Sequence, residues 1–157
     1  MHCLRSIILI LVCCGPALKA ETPKELTGLW IPQSYWLIGQ SKPATAQQWA
    51  RTSGNALTMR INADGTFVQA DWKTQKFSSS GRIETDESKN PHQMRILTEK
   101  VGPANELVPE MKAIYQLDQH GRLTIALGTP EAYSTSFEAN PGGNSGVLLV
   151  TVYSRSE

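Results

Sequence analysis

From Gly28 to the end of the chain, apolar and polar residues tend to alternate one by one, broken at short intervals by turn residues. A period of two sends successive side chains to opposite faces of an extended backbone, so the pattern predicts strands with one buried and one wet face. Leu57, Met59 and Ile61 alternate with Thr58 and Arg60, and Asn62-Ala63-Asp64-Gly65 supplies a turn. Thr66 to Trp72 then returns as the second arm of a hairpin. The same grammar recurs where Ala113, Tyr115 and Leu117 lead into Asp118-Gln119-His120-Gly121 and come back as Leu123, Ile125 and Leu127.

Gly81 to Thr85 and Gln93 to Thr98 read as weaker strands, joined through Lys89-Asn90-Pro91, where proline lacks the N–H that pairing needs. Val147 to Tyr153 is apolar on both faces at first, as a strand covered from both sides is. With the aromatic opening run from Glu25 to Gln40, the pattern yields about eight strands. The predicted fold is all-β: a small antiparallel meander whose first and last strands meet to close a barrel, because closure removes exposed edges. An open sandwich is the alternative architecture.

One stretch departs from strand grammar. Thr45 to Arg51 is rich in helix formers, starts with a capping-type residue and stops before Ser53-Gly54-Asn55. It predicts a short helix or loop over one mouth of the barrel, carrying Trp49. No fixed repeat, heptad or linker divides the rest, so residues 24–157 read as one domain.

Composition adds the compartment. Residues 1–20 read as a secretory signal peptide, with a short basic start, an apolar run from Ile7 to Cys14 and a small-residue exit at Ala20. The run is too short to span a bilayer as a helix, which takes about 20 apolar residues, and the reading is of an exported, periplasmic or extracellular protein with no transmembrane segment. All three cysteines, Cys3, Cys13 and Cys14, lie in this leader, so the domain itself has neither disulfide nor thiolate. Acylation at Cys14 is the alternative, and Cys13 in place of the usual small residue before it argues against a lipid anchor. Cleavage leaves 13 basic residues (15 less Arg5 and Lys19) against 14 acidic, which gives no reason to expect nucleic acid or an anionic membrane.

Candidate chemistry is sparse. Gly143-Asn144-Ser145-Gly146 invites comparison with a hydrolase nucleophile turn, but the only histidines after the leader are His92 and His120, and the stretch also reads as an ordinary loop. No cluster of ligand residues suggests a metal, and Glu84, Asp86 and Glu87 read as a solvated loop. Asp64 and Asp118 each precede a turn glycine and are expected to accept backbone hydrogen bonds there, which removes them as partners for Glu84 or Glu138 in glycoside chemistry. The sequence therefore predicts no catalytic residue, no cofactor and no metal.

Gly28-Leu29-Trp30 resembles the G-x-W signature of lipocalin-like barrels, in which the tryptophan lies across the closed end. The chain as a whole resembles a family of short secreted domains of unknown function, lipocalin-like and found chiefly in planctomycete bacteria. The shared landmarks are Leu26 to Trp30, Asp64-Gly65-Thr66-Phe67, Lys89-Asn90-Pro91, Ile114 to Asp118 with Gly121-Arg122-Leu123, Thr135-Ser136-Phe137-Glu138, and Val147 to Arg155. Tyr133-Ser134 stand where the family commonly has Arg-Pro. The resemblance implies a barrel fold and export, and brings no catalytic residue.

The aromatic set remains. Trp30, Trp36, Trp49 and Trp72, with Met59, Phe67 and Tyr115, are the pocket or lid candidates for a small apolar ligand, against the simpler reading that they fill the core of a small barrel. The expected role is non-catalytic binding of such a ligand. The alternative is an interaction or enzyme-inhibitor module that docks an envelope protein through the loops Ser41–Asn55 and Gly102–Glu110.

Overall fold

The computed structural model describes residues 22–52, 55–103, 106–139 and 146–156. Residues 1–20, read above as a signal peptide and including Cys14, and Ser145 lie outside the described residues. A 3-10 turn (Lys24–Leu26) leads into β1 (Gly28–Leu37), followed by a two-residue strand β2 (Ala44–Thr45) and the helix α1 (Ala46–Thr52). Seven strands complete the chain: β3 (Leu57–Ile61), β4 (Thr66–Asp71), β5 (Phe77–Asp86), β6 (His92–Val101), β7 (Glu110–Leu117), β8 (Leu123–Leu127) and β9 (Leu149–Arg155).

Each of β3 to β9 pairs antiparallel with its sequence neighbour, and β1 closes the ring by pairing with β3 on one edge and β9 on the other. The result is an eight-stranded barrel with β2 as a short annex on β1. The closing seam runs from Trp30 opposite Arg155 to Leu37 opposite Leu149, with a bulge between Pro32 and Ser34. A proline cannot donate to the ladder, and the bulge lies where it sits.

The alternation read from the sequence matches the inward face. Trp30, Met59, Ile61, Phe67, Ile83, Met94, Tyr115, Leu123, Ile125 and Tyr153 form one buried cluster inside the ring. Both turn aspartates do what their position implies: Asp64 Oδ1 accepts from the Thr66 N–H at 3.0 Å, and Asp118 Oδ1 from the N–H groups of His120 and Arg122 at 2.8 and 2.9 Å. Their carboxylates are held by the turns.

The two strands that looked weak are ten residues long each. The run Ser78-Ser79-Ser80 and the charged residues of β6 blur the alternation, yet β5 and β6 pair across Ser79–Asp86 and Gln93–Val101. Register decides them, not local pattern.

A second apolar layer lies outside the barrel. After β8, the chain crosses the outer surface and sets Tyr133, Phe137, Ala139 and Val147 over Ile114, Val150 and Trp36. This explains the doubly apolar last strand, since Val150 faces the outer layer while Thr151 and Tyr153 face inward, all three being buried.

Candidate binding site at the barrel mouth

The two ends of the barrel differ. At the first, Trp30 is fully buried and its Nε1–H donates to the Leu26 carbonyl at 2.8 Å. The Arg155 guanidinium lies 4.9 Å from the indole ring and donates to the Glu25 carbonyl. The 3-10 turn, the tryptophan and the last strand's arginine together seal this end.

At the other end, α1 lies against β1. Its start is a reciprocal cap: the Gln48 N–H donates to Thr45 Oγ1 at 3.2 Å, and the Thr45 N–H donates to Gln48 Oε1 at 2.9 Å. The cap aims Trp49 at Tyr35, where the rings stack with centroids 5.0 Å apart and planes 18° from parallel. Tyr35 is buried, its hydroxyl accepts from the Leu57 N–H at 2.9 Å, and burial pushes its pKa up. Trp72 and Ala56 complete this cluster. The helix thus covers the β1–β3 side of the mouth.

Beside it opens a cleft of about 520 Å³. Leu57, Ala50, Phe77 and Pro103 line it with apolar surface, and Lys73, Lys76, Asn55 and Thr74 add polar groups. Phe77 is 46% exposed. The turn between β4 and β5 is rigid for a stated reason: Asp71 Oδ1 accepts from the Thr74 N–H at 2.7 Å, from its hydroxyl at 2.8 Å and from the Lys73 N–H at 3.1 Å. These bonds hold the Asp71 carboxyl below its usual range. Among the described residues neither Lys73 nor Lys76 is in an ion pair. The cleft therefore offers two ammonium groups, and the turn-bound Asp71 carboxylate, next to an apolar wall.

The seven candidates of the sequence reading separate into three places. Trp30, Met59, Phe67 and Tyr115 pack in the inner core, and Trp49 and Trp72 belong to the mouth cluster. Trp36 points outward beneath the crossing segment, with its Nε1–H on the Gln40 carbonyl at 2.9 Å. The lining of the mouth cleft comes from residues the sequence did not single out, because Lys73, Lys76 and Phe77 look like any polar turn running into a strand.

A smaller cleft of about 300 Å³ lies at the sealed end, between the 3-10 turn and the β5–β6 turn, with Tyr115 and His92 in its wall. The two rings are 5.4 Å apart. Burial, and then the Glu87 carboxylate, push the Tyr115 pKa up to about 12. The neutral phenol is thus favoured by the fold, and its contribution is complete below the unfolded value near 10. It is lost as pH rises from there through about 12. Thermal unfolding followed across this window should show a falling Tm, and Tyr115→Phe should make the fall shallower. Equal slopes in the two proteins would contradict the assignment.

Among the described residues no group of three or more His, Cys, Asp or Glu side chains is placed to hold a metal ion. His92 Nδ1 lies 3.1 Å from the Lys89 carbonyl oxygen, and Glu84 is bound to Arg95 at 2.6 Å. No helix among the described residues is long and apolar enough to cross a membrane. No family model, curated protein or solved structure matches the chain.

Proposed function

We propose that the chain is an exported, lipocalin-like binding module of the short secreted family it resembles, and that it works without chemistry. Its guest is a small molecule with an apolar body and an anionic end, held in the mouth cleft. The observation that carries this reading is the cleft itself: its volume of about 520 Å³ falls within the range of small-molecule sites, and Phe77 and Leu57 stand beside two lysines that, among the described residues, are in no ion pair. The apolar wall supplies affinity through burial, and the ammonium groups orient the charged end. Inside the ring, by contrast, Trp30, Met59 and Phe67 are packed among other side chains with at most 1% of their surface exposed.

Anilinonaphthalene sulfonate has the required shape and charge. Titrated into the protein, it should bind saturably with a rise in its emission and a change in that of Trp49 and Trp72. Phe77→Ala should weaken binding roughly ten-fold, in keeping with the loss of part of an aromatic contact, and Lys73→Gln with Lys76→Gln should weaken it further while abolishing its salt dependence. Binding that ignores all three changes would rule out the cleft.

A further inference from the structure

We propose that the cleft at the sealed end is a second binding site, and that it takes a small organic cation, an amine or guanidine on a short alkyl chain. The cleft, of about 300 Å³, is assembled from three separate parts of the chain: the 3-10 turn, the β5–β6 turn and the end of β7. Leu26 and Tyr115, both buried, form its floor, and Pro91 and Leu117 add apolar wall. The charged side chains in the lining are Glu25 and Glu87, and no lysine or arginine is part of it. Lys24 and Lys89 adjoin the cleft along the chain, yet among the described residues neither carboxylate is in an ion pair. Arg155 is engaged with the Glu25 carbonyl, not with its carboxylate.

The cleft holds more acceptors than donors. The Tyr115 hydroxyl meets Glu87 Oε1 at 3.5 Å, long for such a bond, so the carboxylate oxygens keep room for other donors. His92 Nδ1 lies 3.1 Å from the Lys89 carbonyl. A carbonyl oxygen only accepts, so Nδ1 carries the proton, and in the neutral ring Nε2 is left as an acceptor. Burial raises the Tyr115 pKa most, and the fields of Glu87 and then Glu25 add to it, so both carboxylates bear on one phenol. A ligand bearing N–H groups and a positive charge answers this set, with its alkyl chain on Leu26 and Leu117. A metal ion does not, because among the described residues no three His, Cys, Asp or Glu side chains are placed to share one. Glu25, Glu87 and His92 are too widely spread for a single coordination sphere, and an extended cation spans them. This site stands at the opposite end of the barrel from the mouth cleft and does not rest on what that cleft binds.

The test is titration of the purified protein with butylguanidinium, followed by NMR through the histidine ring signals. The signals of His92 should move saturably, and those of His120, which is outside the cleft lining, should stay. Butylurea, the neutral molecule of the same shape, should bind at least roughly ten-fold more weakly, as expected when charge-assisted hydrogen bonds are lost. Glu25→Gln and Glu87→Gln should each weaken butylguanidinium roughly ten-fold on the same ground. Lys24→Gln with Lys89→Gln should not weaken it, since it removes like charge beside the site. Circular dichroism confirms that each variant keeps its strands. Calcium chloride should displace the ligand no better than sodium chloride of equal ionic strength. No saturable shift at His92, equal binding of butylurea, or indifference to both glutamate variants overturns the proposal. A specific effect of calcium overturns it in favour of an ion site. Lys73→Gln with Lys76→Gln, at the mouth, should leave this titration intact, and a loss there equal to that of the glutamate variants also overturns it. Because the dye titration reads the other end of the barrel, either reading can fail without the other.

Discussion

Trp30→Ala should lower the stability of the barrel by about 3–5 kcal/mol, the range for removing a buried tryptophan from a core. Three losses coincide at this site. The indole is fully buried among Leu26, Met59 and Tyr153, so its deletion opens a cavity that the surrounding ring of strands cannot collapse around. Its Nε1–H bond to the Leu26 carbonyl disappears, which unties the 3-10 turn from the sealed end. Arg155 loses the aromatic face against which it lies. Typical domains are stable by only about 5–15 kcal/mol, so the variant should be close to unfolding at ordinary temperature. Urea denaturation followed by circular dichroism measures the loss directly. Trp30→Phe should cost clearly less, because it keeps most of the volume and gives up chiefly the hydrogen bond. A change below about 1 kcal/mol in the alanine variant would mean that the sealed end is not part of the cooperative core.

Gly81→Ala should be as damaging for a different reason. A methyl group at this position would lie 1.9 Å from the Leu97 carbonyl oxygen and 2.9 Å from its carbon. Both atoms are backbone, so no rotamer change relieves the clash. The register between β5 and β6 shifts between Ser80 and Gly81, which brings the two chains closer there than a regular ladder allows a side chain. Relief requires the strands to part, which opens the β5–β6 ladder of the closed ring. The expected outcome is a loss above about 4 kcal/mol or failure to fold. Gly121→Ala is the control. Its added carbon meets nothing within 4 Å, yet its φ of +72° disfavours a side chain, so it should cost about 1 kcal/mol. Similar losses in the two variants would show that the strands yield around Gly81 and that the close approach costs little.

The stretches that the sequence made legible are those where local chemistry and the final fold agree. The hairpins around Asp64-Gly65 and Asp118 to Gly121 alternate cleanly and end in aspartates whose side chains bond the turn, and both appear at the expected residues. The Thr45 start of α1 was visible for the same reason, since a threonine three positions before a glutamine can close its own cap. β5 was legible only in its second half. Its Ser78-Ser79-Ser80 run has no apolar face to read, and Ser79 is buried because Gln69 Oε1 accepts from its hydroxyl at 2.7 Å. Trp36 shows the opposite case. An aromatic on the first strand invites an inward assignment, but the bulge at Pro32 to Ser34 intervenes and the ring turns toward the outer layer.

By itself, then, the order of residues determined that this chain is built of strands, where most of them turn, and which side chains fill the ring, because a period of two and a turn glycine act over a few neighbouring residues. Only the tertiary structure decided the mouth. Leu37 comes to face Leu149, and Ser78 comes to hold Gly102, through pairings between distant segments. Those pairings carry Lys42, the turn from Lys73 to Phe77, and Leu107 from three separate places to one end of the barrel. A nearly neutral chain thereby places Lys42, Arg51, Lys73 and Lys76 on the connections 38–56 and 72–76 and Glu106 on the connection 102–109: net charge is a sum over the chain, and the field at a surface depends on where the fold puts each term.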